Sequence, residues 1–132
     1  RHFRALIDRD DPRTLLRSLK AGRCVWYAFD QDLRTGPFVP FMGVPAATVD
    51  SAARLVRASG ALVLFVDHWR LPGRPRWTLR FRTLALATGD LAVDTRRYVA
   101  AIEDAVRAHP AQYLWTHRRF KTTPPGAADR YA

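Results

Sequence analysis

Two apolar runs constrain this chain most. Arg23–Phe29 (RCVWYAF) and Ala61–Trp69 (ALVLFVDHW) each begin directly after a glycine that closes a helical pattern, Gly22 and Gly60. Both are rich in β-branched and aromatic residues, and neither alternates cleanly, which is how a strand buried on both faces reads. Strands of that kind need helices above and below them. The expected class is therefore α/β, a three-layer, mostly parallel partial sheet with helices on both faces.

The flanking segments agree. Asp11-Pro12 is a cap followed by a first-turn proline, and Leu15, Leu16 and Leu19 form one apolar stripe before Gly22. Thr48 is placed to cap a second helix over about Val49–Ser59, with Asp50 and Arg54 four residues apart and Gly60 as its stop. Asp94 is expected to cap a third helix running to about Ala108, with Val99, Ile102 and Val106 inward and Glu103 four residues before Arg107. Between the last two helices, Arg76–Leu84 alternates. Arg76, Thr78, Arg80 and Arg82 are assigned to a wet face, and Trp77, Leu79, Phe81 and Thr83 to a dry one. Phe38–Gly43 (FVPFMG) carries Pro40 and is expected as a loop or edge segment. No linker or repeat divides the chain, so residues 1–132 read as one domain, with 113–132 an irregular basic tail.

Charge narrows the partners. The 132 residues hold 22 Lys+Arg against 12 Asp+Glu, a formal charge of +10. Only Lys20 and Lys121 are lysine, and the rest of the excess is arginine, whose planar fork pairs with phosphate or carboxylate through two hydrogen bonds. An anionic partner follows: nucleic acid, anionic lipid headgroups, a phosphorylated lipid or an acidic carrier protein. With 48% hydrophobic residues a real core is available, which excludes a disordered basic tail. The single cysteine, Cys24, excludes a disulfide framework and reads as a small core residue. No apolar run approaches the ~18 residues of a membrane span. A start at Arg1 without methionine gives the expectation of a piece of a longer protein.

Few residues can carry chemistry. Asp30-Gln31-Asp32 lies where an expected strand runs into a loop, the edge at which open α/β sheets bind ligands. Its carboxylates suit orienting a hydroxyl, binding a cation or positioning an arginine, and equally suit a turn that bonds its own backbone. His2, His68, His109 and His117 stand at no metal-ligand spacing, and no phosphate-loop, dinucleotide or nucleophile-elbow pattern occurs, so no metal or cofactor is expected. The stretch from Tyr113 to Lys121 (YLWTHRRFK) interleaves aromatics with Arg118, Arg119 and Lys121. It fits a phosphate-bearing partner, or a solvated tail whose Trp115 and Phe120 anchor in the core.

In combination, WYAFDQD, FVPFMGVPAAT and HPAQYLWTHRRFKTTPPG resemble the carboxyl-terminal half of the lipid A biosynthesis lauroyl/myristoyl acyltransferases, within the lysophospholipid acyltransferase-like superfamily. The resemblance runs from Arg1 to Tyr131. Met42 stands where the family has Phe, Ala111 where it has Glu, and Thr123 where it has Arg.

The resemblance implies transfer of a fatty acyl chain from an acyl-carrier-protein thioester to a hydroxyl of a lipid A precursor. The reaction is placed at the cytoplasmic face of the inner membrane. It implies a His-x-x-x-x-Asp/Glu dyad as base and orienter. That dyad is missing here: the fifth positions after the four histidines are Ile7, Gly73, Leu114 and Thr122. No catalytic residue is therefore assigned within the chain. The base and a membrane helix are expected in an amino-terminal part, and the chain alone is expected to be inactive. The same resemblance makes Asp30, Gln31 and Asp32 the acceptor-side carboxylate region. Arg1 aligns near the acceptor-binding region, and Arg118, Arg119 and Lys121 match the family tail. The expected partners are acyl carrier protein, the anionic lipid A precursor and the membrane surface. A glycolipid acceptor of the phosphatidylinositol mannoside type is the alternative within the superfamily. A small basic nucleic-acid-binding domain would explain the charge, but DQD and FVPFMG serve no nucleic-acid module, so nucleic acid is not an expected partner.

Overall fold

The computed structural model describes residues 4–73 and 75–132. Arg1, His2, Phe3 and Arg74 lie outside them, so the expectation for Arg1 has no structural counterpart here.

Among the described residues eight elements follow one another: α1 (Pro12–Lys20), β1 (Phe38–Phe41), β2 (Val44–Ala47), α2 (Ser51–Ser59), β3 (Val63–Arg70), β4 (Trp77–Leu84), α3 (Leu91–Ala108) and a 3-10 turn at Pro110–Gln112. The class is α/β, as the alternating patterns imply. The sheet is not the parallel one expected. Among the described residues β1 pairs with β2 and β3 with β4, both antiparallel, in two separate two-stranded sheets. The reason lies in the connections. Met42-Gly43 joins β1 to β2 with φ of 53° and 79°, the doubly left-handed backbone of a two-residue hairpin, and such short links admit only antiparallel pairing. Pro40 and Pro45 face each other in that hairpin, in keeping with an edge position for FVPFMG.

Arg23–Phe29 forms no strand. Among the described residues nothing offers it a ladder, and a buried strand without hydrogen-bonding neighbours would leave its amides unpaired. It runs as irregular chain instead, with Trp26 exposed and Cys24 an exposed thiol rather than a core residue. Two contacts tether it. The Phe29 ring meets Tyr98 edge-on at 4.7 Å, and the Tyr27 hydroxyl lies 2.6 Å from Ser51 Oγ.

The core collects Val39, Phe41, Ala46, Val56, Leu86 and Val99 around the fully buried Tyr98 of α3. Helix ends follow local chemistry. Asp11 accepts from the Thr14 amide at 2.9 Å, and Asp50 pairs with Arg54 at 2.7 Å. Two expected caps move. Asp90, not Asp94, caps α3 by accepting from the Ala92 and Val93 amides. Asp94 is buried one turn later and accepts from the Thr88 hydroxyl at 2.9 Å. Asp50 stands at the cap position of α2, and Thr48 is fully buried elsewhere.

The β3–β4 hairpin reverses the expected faces. Register sets Asp67 opposite Arg80 and Phe65 opposite Arg82. Arg80 donates from Nε to both Asp67 oxygens at 3.1 Å, and Arg82 reaches the Ala101 carbonyl of α3 at 2.9 Å. Their guanidinium carbons also lie over the Trp69 and Phe65 rings, at 5.6 Å and 4.9 Å. The Arg80 and Arg82 side chains therefore lie against a buried carboxylate and two rings, although Arg76 and Arg80 themselves stay exposed. Trp77, Leu79 and Phe81 are left 57%, 56% and 61% exposed on the other side.

Candidate functional site

Three stretches far apart in sequence meet at one place: the DQD loop, the end of β2 and the basic tail. Asp32 forms an isolated antiparallel bridge with Thr48. The Leu33 amide donates to the Ala47 carbonyl, and the Thr48 amide to the Pro37 carbonyl at 2.9 Å. Gly36 packs against this join so closely that a Cβ there would come 2.1 Å from the Thr48 carbonyl oxygen. Only a residue without a side chain lets the DQD loop lie on β2.

The tail locks onto the same point. Thr122 donates its amide to Asp32 Oδ2 at 3.1 Å and its hydroxyl to Oδ1 at 2.8 Å. Arg119 is buried, donates to the Ala47 carbonyl at 2.6 Å and to Thr48 Oγ1 at 2.8 Å, and lies over the Phe41 ring. The Thr48 hydroxyl itself donates to the Ala46 carbonyl at 2.8 Å. Burial pulls the Arg119 guanidinium below its usual pKa, against the opposing charge of Asp32 and Asp30.

The expected residues thus separate by position. Asp32 and Arg119 point inward and hold the join. Asp30 and Gln31 are exposed at its rim and, among the described residues, engage in no hydrogen bond or ion pair. Arg118 and Lys121 are exposed on either side of Arg119, with the Arg118 guanidinium over the Tyr131 ring at 5.5 Å. Phe120 packs on Phe41 as an anchor. Trp115 is 58% exposed, and its indole N–H donates to the Pro110 carbonyl at 2.7 Å. Beside the join, burial and the charge of Asp30 push the Tyr113 phenol above its usual pKa, and its buried hydroxyl has no partner among the described residues. Sequence reasoning missed Thr48, Thr122 and Gly36. Thr48 gave a helix-cap signal, and the other two gave none.

Asp30 is an exposed carboxylate of a kind able to orient a hydroxyl, and the tail carries exposed cations, Arg118 and Lys121, of a kind able to receive phosphate. Among the described residues no three His, Cys, Asp or Glu come together as a metal site, and no helix is long and apolar enough to cross a membrane.

Residues 2–122, which include all three converging stretches, match the family described as bacterial lipid A biosynthesis acyltransferase. The chain belongs to that family. The lipid A biosynthesis lauroyltransferase of Escherichia coli (strain K12) is 36% identical over 99% of this chain and 44% of its own length. The palmitoleoyltransferase of the same organism has the same identity and coverage. A lipid A biosynthesis acyltransferase of Haemophilus influenzae is 29% identical over 90% of this chain and 40% of its own length. The chain therefore spans less than half the length of these family members.

Proposed function

We propose that the chain forms the acceptor side of an acyltransferase acting late in lipid A biosynthesis, at the cytoplasmic face of the inner membrane. In this reading an acceptor hydroxyl of the lipid A precursor attacks the thioester carbonyl of acyl carrier protein. A C–O bond forms, the C–S bond breaks, the carrier thiol leaves, and the hydroxyl proton passes to a base outside this chain. Asp30 orients the acceptor, with Gln31 beside it. Arg118 and Lys121 meet its phosphates or the anionic headgroups around it, and Arg1 is assigned to the same acceptor side. Asp32 and Arg119 position that rim rather than touch substrate.

The observation that carries the reading is the match over residues 2–122 to a family of lipid A acyltransferases. The convergence of DQD, the end of β2 and the tail on Asp32, Thr48 and Arg119 supports it. The test is a replacement. This chain is substituted for the matched span of the E. coli lauroyltransferase, and transfer from lauroyl-acyl carrier protein to a lipid A precursor is measured. Transfer in the replacement protein, its loss with Asp30→Ala, and none by the 132-residue chain alone are expected. A folded replacement without transfer overturns the assignment, and turnover by the chain alone overturns the external base.

A further inference from the structure

Among the described residues four guanidiniums lie over aromatic rings: Arg80 over Trp69 at 5.6 Å, Arg82 over Phe65 at 4.9 Å, and Arg119 over Phe41 and Arg118 over Tyr131, both at 5.5 Å. Three of them also spend N–H donors inside the protein. Arg80 donates to Asp67, Arg82 to the Ala101 carbonyl, and Arg119 to the Ala47 carbonyl and Thr48 Oγ1. Arg118 differs. It is exposed, and among the described residues its guanidinium makes no hydrogen bond and no ion pair. A ring takes a guanidinium by its face, whereas the five N–H donors lie in the plane of the group. The stack on Tyr131 therefore leaves the edge of the Arg118 fork free.

The ring under Arg118 is tied to the core. The Tyr131 hydroxyl accepts from the Phe120 amide at 3.1 Å, and the Phe120 ring packs against Phe41 at 6.1 Å. The chain returns to this point through a reversal at Gly126, with φ of 80°, where the Ala127 amide donates to the Pro124 carbonyl at 3.0 Å. The Tyr131 amide then donates to Asp129 Oδ1 at 2.8 Å. The backbone of Arg118 is held as well. Its carbonyl accepts from the Lys121 amide at 3.1 Å, and the neighbouring Arg119 side chain is buried. A long exposed side chain gives up rotamer freedom when it grips a ligand, and a guanidinium already stacked on a fixed ring has given up part of it beforehand.

We propose that Tyr131 is a positioning residue, holding the Arg118 guanidinium by its face so that the edge of the fork is presented to a phosphate monoester. This role presupposes that Arg118 receives phosphate, as in the proposed function, and adds the residue that fixes the geometry of that contact. Two parallel N–H···O bonds form at the edge while the ring stays on the face. Lys121, a point charge, adds attraction without direction. Tyr131 itself touches no phosphate and acts only through Arg118.

The test uses the 132-residue chain and two sources of the same group. Soluble glycerol phosphate is followed by the Arg118 Nε–H resonance, and phosphatidylcholine vesicles carrying phosphatidic acid are followed by co-sedimentation. Both are expected to bind, and Arg118→Gln weakens both. Tyr131→Leu is expected to weaken both by about two- to fivefold, the range an exposed cation–π contact supports, whereas Tyr131→Phe keeps the ring and most of the binding. In the Arg118→Gln background Tyr131→Leu is expected to have no further effect, which a merely structural role for the ring would not produce. Arg118→Lys leaves the Tyr131–Phe120 bond alone and is expected to lose about as much as Tyr131→Leu. Wild-type binding by Tyr131→Leu, where Arg118→Gln binds weakly, overturns the positioning role and leaves the phosphate assignment standing. A further loss from Tyr131→Leu in the Arg118→Gln background, or full binding by Arg118→Lys, also overturns it. Unchanged binding in Arg118→Gln removes the phosphate assignment and this role together. Binding to the vesicles without binding to glycerol phosphate overturns recognition by the fork in favour of surface charge.

Discussion

Asp32 receives both the amide and the hydroxyl of Thr122, a residue ninety positions later, at 3.1 Å and 2.8 Å. One of the two carboxylates in DQD is thereby committed to holding the tail, and the other, Asp30, is left at the rim. Two acidic residues separated by a single position thus differ in what they engage, a difference that spacing alone does not reveal.

Thr122→Val is expected to cost about 1 kcal/mol and Asp32→Ala about 1–3 kcal/mol, because the second change also strands the Thr122 amide. Urea unfolding of the single and double variants checks this. Their effects should fall short of additivity by more than about 0.5 kcal/mol. Additive effects would mean that the pair does not tie the tail down.

Arg119 serves two acceptors on β2 from inside the protein. Arg119→Lys leaves a point charge that cannot reproduce the fork, and a loss of about 2–4 kcal/mol is expected from the unsatisfied carbonyl and the buried ammonium. Thermal unfolding measures it. A melting temperature within a degree of wild type would show the guanidinium to be dispensable there.

Gly36→Ala places a Cβ against backbone, where nothing flexible can give way. It should destabilise by about 1–3 kcal/mol and raise amide exchange at Thr48, whose N–H donates to Pro37 across the same join. Wild-type exchange at Thr48 in the alanine variant would argue against so close an approach.

Two buried carboxylates govern acid stability. Burial raises the Glu103 pKa, but the Arg96 hydrogen bonds, the Met42 amide at 2.8 Å and the Arg96 and Arg107 charges outweigh it, leaving the carboxyl below its ordinary value. Asp67 behaves alike, burial being outweighed by Arg80 and Arg82. Groups lowered on folding bind fewer protons in the native state. Their stabilisation is therefore complete above about pH 5 and is lost as pH falls below about pH 4. Glu103→Gln should lower stability at pH 7 and flatten its fall in acid. Parallel pH profiles for variant and wild type would contradict this.

Arg118 and Lys121 are exposed cations flanking Arg119 in the tail. Replacing both with Gln should weaken binding to anionic vesicles by about 1 kcal/mol per residue and reduce its dependence on salt. Vesicle co-sedimentation across an ionic-strength series checks it. Unchanged binding would remove these residues from any interface with lipid.

The sequence by itself determined the helices, because caps, stop glycines and apolar stripes act within a few residues: Asp11 with Thr14, Asp50 with Arg54, Gly60 after α2. It also carried the family, through motifs whose residue order survives whatever their packing. Only the tertiary structure decided strand partners and faces. Arg23–Phe29 had strand composition but, among the described residues, no ladder to join, and Arg76–Leu84 alternated without saying which side was wet. That choice rested on Asp67, ten residues earlier than Trp77, presenting a buried carboxylate opposite Arg80. Likewise Asp32 and Asp30 differ because Thr122 folds back onto one of them. Pairing across long separations depends on which groups arrive at the same point, and that information lies in no local stretch of chain.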